Sequence, residues 1–369
     1  MFDDHAEARD VVSHPRPDAR QESRRPKKSR ARRITVALGS IALGVGLIVG
    51  VLPNLADFSE VWQAIRSMDR FQVTTLLLAA AWNIFTYGLV VVAVLPGLSL
   101  FQALVASQVS TAISNTLPAG SAVGIGVTYA IFSSWGHRAS SIARAAIASG
   151  LWNILVKLAL PAIALAILTM QGDWDPAMVT ASLLGVAVLV VVIGLLVAAL
   201  SSERLAHKTG DAVGHLVSIF RRPFRREPIR TWGDGLSSFR RESAALLRSR
   251  WHWVTLAAVV SHLSLFLLLL LALRYVGVTS EMVGAAEALG AFALVRLVTV
   301  LPITPGGLGV VEVGLTAGLV VAGGPEPLVV AAVIVYRALT YFLQIPLGAA
   351  AYVVWRRNRS WRDAQPSAV

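Results

Sequence analysis

Residues 301–312 read Leu301-Pro302-Ile303-Thr304-Pro305-Gly306-Gly307-Leu308-Gly309-Val310-Val311-Glu312. They interrupt an apolar zone, 283–322, that is nearly twice the ~20 residues one membrane helix needs. Proline removes a backbone donor and glycine permits close approach, so a helix here must stop and restart. Irregular backbone at membrane depth survives only when it is buried in protein or lines a wet cavity. A second zone of double length, 99–135, is interrupted in a similar way by Asn115-Thr116-Leu117-Pro118-Ala119-Gly120, followed by Gly124 and Gly126.

Six further apolar zones, at about 34–52, 71–95, 141–170, 177–199, 252–273 and 328–355, fit one span each. Hydrophobic residues make up 55% of the 369 residues and charged residues 15%, with mean hydropathy +0.65. That balance excludes a soluble enzyme, a disordered chain and a fibrous one. No cysteine is present, which excludes disulfides, thiolate metal sites and cysteine nucleophiles. The net charge of +12 lies outside the apolar zones, so it reads as a topology signal, not as a nucleic-acid footprint.

The basic clusters fix a topology. Ten Lys/Arg lie in 1–33, eleven in 201–250, and Arg356, Arg357, Arg359 and Arg362 follow the last zone. All three segments belong on the cytoplasmic side. They share that side only if zones 99–135 and 283–322 each return to the side they entered. The expected fold is therefore an all-α polytopic membrane protein with about six full spans and two Pro/Gly-broken re-entrant hairpins. The hairpins enter from opposite sides, as in an inverted repeat. Residues 1–33 form a disordered basic cytoplasmic tail, 34–355 the membrane domain with the basic loop 201–250, and 356–369 a second cytoplasmic tail. The location is a bacterial cytoplasmic membrane, with both termini inside.

Two amphipathic helices are also expected. In 57–70, Phe58, Val61, Trp62, Ile65 and Met68 recur at helical spacing with Asp57 as cap, which suits a helix lying on the outer surface. In the cytoplasmic loop, Trp232, Leu236, Phe239, Ala244, Leu246 and Leu247 mark a helix ahead of zone 252–273.

Ionisable groups inside a membrane are costly and functional by default. Only Glu287 and Glu312 place carboxylates inside apolar zones, and Lys157, Arg296 and Arg337 are the matching cations. Glu312 is expected to pair with one of the arginines, or an arginine to receive a phosphate, for which its fork is suited. Glu287 and Arg296, nine apart, face opposite ways on one helix. Thr304 is a candidate cap for the helix restarting after the break, whose free N–H groups would attract an anion. His262 has no ligand spacing and reads equally well as a packed residue. No metal or cofactor motif is present, and no catalytic constellation.

The stretch Pro302–Glu312 resembles the P-x-x-P-G-G-x-G-x-x-E signature of the lysylphosphatidylglycerol synthase transmembrane region, a flippase-like family of membrane proteins. Asn115–Gly120 is similar to that family's first Pro-Gly turn, and Tyr336-Arg337 and the basic exit also look familiar. The likeness covers about 34–355. Many members carry Gly-Glu and an Arg after the first turn, where this chain has Ser121-Ala122-Val123. It also lacks a soluble aminoacyl-transferase domain, so synthase activity is not expected.

The resemblance implies a lipid translocase without enzymatic activity. Its substrate-binding residues would be Arg296, Pro302, Thr304, Pro305, Gly306, Gly307, Gly309, Glu312 and Arg337, with Asn115, Pro118 and Gly120. Partners are membrane lipids with anionic or phosphate-bearing headgroups, and either an envelope-biosynthesis enzyme or a second copy of the chain. Movement would be downhill, or coupled to protonation of Glu312 or Glu287. The alternatives are a non-catalytic partner of an envelope enzyme, or a membrane glycosyl- or acyltransferase.

Overall fold

The computed structural model describes residues 58–117, 120–171, 176–201, 232–300, 304–358 and 361. The basic tail, the zone 34–52, the Asp57 cap, Pro118, Pro302, most of the cytoplasmic loop and residues 362–369 lie outside the described residues. Among the described residues every regular element is helical.

Helix α1 spans Phe58–Arg66, α2 Arg70–Val94, α3 Leu100–Thr116, α4 Gly120–Ser134, α5 Ala139–Met170 and α6 Pro176–Ser201. Helix α7 spans Trp232–Tyr275, α8 Ala285–Val298, α9 Val310–Val321, α10 Glu326–Arg337 and α11 Gln344–Arg357. Local chemistry sets several ends. Asp69 and Gln72 form a capping box on α2, and Ser99 and Gln102 one on α3. Pro96, two residues beyond α2, prevents its continuation.

Four helical stretches are long and apolar enough to cross a membrane: Arg70–Val94, Ala139–Met170, Ser249–Tyr275 and Glu326–Arg357. They coincide with zones 71–95, 141–170, 252–273 and 328–355, and the chain is an integral membrane protein. Zone 177–199 is the single helix α6. The two double-length zones each split into a pair of helices packed on each other, α3 with α4 and α8 with α9. Helices α8 and α9 have 14 and 12 residues. At 1.5 Å per residue they are about 21 and 18 Å long, short of the ~30 Å hydrocarbon core.

The structure adds two features. The amphipathic helix of the loop is not separate, because α7 runs unbroken for 44 residues from Trp232. No Gly or Pro occurs between Leu236 and Tyr275 to stop it. The last span is interrupted by a π-helical turn over Ala338–Phe342, where Leu343 N–H reaches the Ala338 carbonyl at 2.8 Å.

Close packing depends on small residues, as expected where lipid removes most of the hydrophobic drive between helices. A Cβ on Gly314 would sit 2.9 Å from Val295, and one on Gly318 3.0 Å from Ala291, so α8 and α9 touch through glycine. Polar ties reinforce the bundle. Asn83 Nδ2 donates to Ser264 Oγ at 2.8 Å between α2 and α7, and Trp152 Nε1 to Thr255 Oγ1 at 2.8 Å between α5 and α7. His262 packs within α7, its Nδ1 2.9 Å from the Ala258 carbonyl. The outward faces remain apolar, with Leu78 66% and Leu183 65% exposed.

The bundle has two distinct ends. At one, α1 packs on α10 through buried Val61 and Ala64. There Arg274 donates to the carbonyls of Val278, Thr279 and Val283, closing the turn between α7 and α8. At the other end, Trp361 stacks edge-on against Trp135 and Phe101, and Trp355 Nε1 donates to Ser134 Oγ at 3.1 Å.

Candidate functional site

The second break folds into a single 3₁₀ turn, Pro305–Gly307, followed by Leu308 and Gly309. Gly306, Gly307 and Gly309 have φ of +58°, +70° and +82°. A side chain at Gly306 is excluded twice: its backbone is left-handed, and a Cβ would sit 2.5 Å from Tyr341 Cε2 and 2.6 Å from Asn115 Oδ1. The chain turns here in contact with two other elements.

Glu312 stands in the first turn of α9 and turns back over it. Its Oε2 accepts the Gly309 N–H at 2.7 Å, and its Oε1 accepts Arg337 Nε at 2.7 Å. Arg337 Nη2 donates to the Gly306 carbonyl at 3.3 Å, and the guanidinium carbon lies 4.5 Å from the centre of the Tyr341 ring. Glu312 is 4% exposed and Arg337 6%. The carboxylate thus joins helix start, glycine turn and last span. Thr304 does not serve as the cap expected of it. It precedes the 3₁₀ turn, makes no side-chain cap bond, and its buried Oγ1 has no partner. The Gly309 N–H just ahead of α9 is taken by Glu312, so the protein's own carboxylate sits at that helix start.

The first break joins the same place. Tyr341 Oη donates to the Asn115 carbonyl at 2.6 Å, and Asn115 Nδ2 to the Tyr341 carbonyl at 3.4 Å. This pair ties the first break to the π turn of the last span, and the second break closes on the same point, since a Cβ on Gly306 would meet both Asn115 and Tyr341. Tyr341, four residues beyond Arg337, was not among the expected site residues. The i, i+4 spacing is its only sequence signal, and the π turn that aims it is set by packing.

Beside this junction lies a cavity of about 520 Å³. Its wall includes Lys157 of α5, Arg296 of α8 and Arg337 of α10, with Asn115, Thr304 and Gly306 from the two breaks. Lys157 Nζ donates to Thr299 Oγ1 at 3.3 Å, and that hydroxyl donates to the Arg296 carbonyl at 2.7 Å. Arg296 Nε is buried without a hydrogen-bond partner. Three cations thus face one space, and the one carboxylate at the junction is already engaged with Arg337.

The other expected residues divide. Gly307 also lines the cavity. Pro305 is buried in the turn, and Gly309 and Glu312 support Arg337 from behind. Gly120 packs against the Ser114 and Ile113 carbonyls at the α3–α4 contact, away from the cavity wall. Glu287 is not deep in a span: it occupies the first turn of α8, half-buried, beside Gly284. Lining groups absent from the expected set are Ser121, Asn153, Thr299, Tyr336, Thr340 and Tyr341.

The family model described as the lysylphosphatidylglycerol synthase TM region matches residues 38–348. This is well over half of the chain, and the chain belongs to that family. No curated protein matches it.

Proposed function

We propose that this protein is a lipid translocase that passes a phosphate-bearing headgroup between leaflets while the acyl chains stay in the bilayer. One observation carries the reading: a cation-walled cavity at the meeting point of two broken helix pairs within an otherwise apolar bundle. A volume of about 520 Å³ falls in the range of small-molecule sites. Arginine forks suit phosphate oxygens. Desolvated cations without carboxylate partners favour an arriving anion. The protein acts without covalent catalysis in this reading.

The same reading uses six spans and two re-entrant hairpins, with the termini in the cytoplasm of a bacterial cell. The short lengths of α8 and α9 support the hairpins. The gathering of 95–101, 134–138 and Trp361 at one end, and of α1, 276–284 and 322–325 at the other, supports the sidedness.

The test is transbilayer movement of fluorescent phosphatidylglycerol in proteoliposomes, read by quenching of outer-leaflet fluorescence. The parent should accelerate movement over protein-free vesicles, and Arg296→Gln should reduce the acceleration by at least roughly tenfold, the weight of one charged hydrogen-bonded contact. No acceleration by folded parent protein would reject the translocase.

A further inference from the structure

We infer that the cavity accepts headgroups that are anionic and carry no ammonium group, and rejects zwitterionic and aminoacylated ones. This rests on the translocase reading and narrows its substrate class. A phosphate would find Arg296 Nε and Thr304 Oγ1, both buried and without partners, and Lys157, held only by a neutral hydroxyl.

An ammonium group would find no counter-charge. No Asp or Glu among the described residues lines the cavity. Glu312, behind the wall, has one oxygen on Gly309 N–H and the other on Arg337. Of the aromatic rings on the wall, whose faces can also hold an ammonium, Tyr341 already carries the Arg337 guanidinium, and Phe292 and Tyr336 would have to hold one beside Lys157, Arg296 and Arg337.

The carboxylates of the apolar zones do not supply the missing charge. The apolar zones contain only two carboxylates, Glu287 and Glu312, and the break residues Pro118, Ala119, Leu301, Pro302 and Ile303 add none. Glu287 lies in the first turn of α8 and does not line the cavity. A headgroup such as lysylphosphatidylglycerol would therefore bring its amines against Lys157 and Arg296 in a space with no acceptor of opposite charge. Like charges brought together in this way cost enough to slow passage by at least roughly tenfold.

The experiment compares tail-labelled phosphatidylglycerol, phosphatidate, phosphatidylethanolamine and lysylphosphatidylglycerol in proteoliposomes of one composition. The first two should move and the last two should lag by at least roughly tenfold. Asn153→Asp places a carboxylate on the cavity wall one turn before Lys157 and should narrow that gap. Equal rates for all four would overturn the selectivity while leaving translocation standing.

If none moves, the translocase reading fails, and thermal stabilisation in detergent decides on binding. Stabilisation by dioctanoyl phosphatidate but not by dioctanoyl phosphatidylethanolamine would uphold the charge selection. Equal stabilisation, or none by either lipid, would overturn it. Stabilisation by inorganic phosphate alone would assign the cavity to a free anion and also overturn the lipid assignment.

Discussion

Arg296 and Arg337 carry the same charge and line the same cavity, yet replacing each by methionine should move stability in opposite directions. Arg337→Met removes the Nε donor 2.7 Å from Glu312 Oε1 and leaves a carboxylate only 4% exposed with one backbone N–H. Breaking a buried ion pair from one side costs about 3–5 kcal/mol. Arg296→Met removes a cation whose Nε has no partner and substitutes an apolar chain of similar length. That change should be neutral, or stabilising by up to about 2 kcal/mol, because no buried opposite charge is stranded. The difference between the two variants is therefore at least about 3 kcal/mol. Reversible unfolding in mild detergent, followed by circular dichroism, measures it. A third variant, Glu312→Gln in the Arg337→Met background, should recover part of the loss by removing the stranded charge. Equal destabilisation by the two arginine substitutions, or no recovery in the double variant, would refute the account of which arginine is structural.

Gly306→Ala should destabilise by about 2–4 kcal/mol, from the left-handed backbone and the overlap with Tyr341 and Asn115. A loss under about 0.5 kcal/mol in the same unfolding assay would mean that the breaks do not press on each other. Tyr341→Phe removes the 2.6 Å donor to the Asn115 carbonyl and should cost about 1–2 kcal/mol. An unchanged unfolding free energy would show that this bond does not hold the first break to the last span. The cysteine-free chain permits a clean topology test. Arg138→Cys should react with an impermeant maleimide only from the cytoplasmic side, and Met282→Cys only from the outside. Labelling of both from one side would reject the two-hairpin topology.

Zone boundaries in the sequence reproduce the helices closely, because bilayer thickness constrains length and composition together. The two interruptions were legible for the same reason: Pro and Gly in an apolar run of double length have few other readings. What lay beyond sequence was register. Glu312 is 16 residues from Arg296 and 25 from Arg337, and separation does not choose between them. In the structure Glu312 pairs with Arg337, and the π turn at 338–342 follows directly, with Tyr341 against the Arg337 guanidinium and the Asn115 carbonyl. Such a turn has no distinct side-chain period and is decided by packing. The continuity of α7 was missed because the loop helix and the span were read by different patterns, amphipathic spacing for one and an apolar run for the other, although no Gly or Pro separates them. Thr304 was assigned as a cap by its position, but the competing carboxylate three residues into α9 reached the helix start instead.

That competition bears on how the protein would be driven. Proton coupling through Glu312 is the obvious alternative to downhill movement, because it is the buried carboxylate at the junction. Its two oxygens, however, both accept from N–H donors, Gly309 on one side and Arg337 on the other. Each of those bonds uses the carboxylate to hold a neighbour in place, Arg337 at the cavity wall and the N–H just ahead of α9. Glu287 stands in the first turn of α8, beside Gly284, and is not among the residues that line the cavity. The carboxylate is better understood as the anchor that holds Arg337 at the cavity wall. The groups left to respond to a substrate are then Lys157, Arg296 and Thr304, and an arriving phosphate would complete their hydrogen bonds.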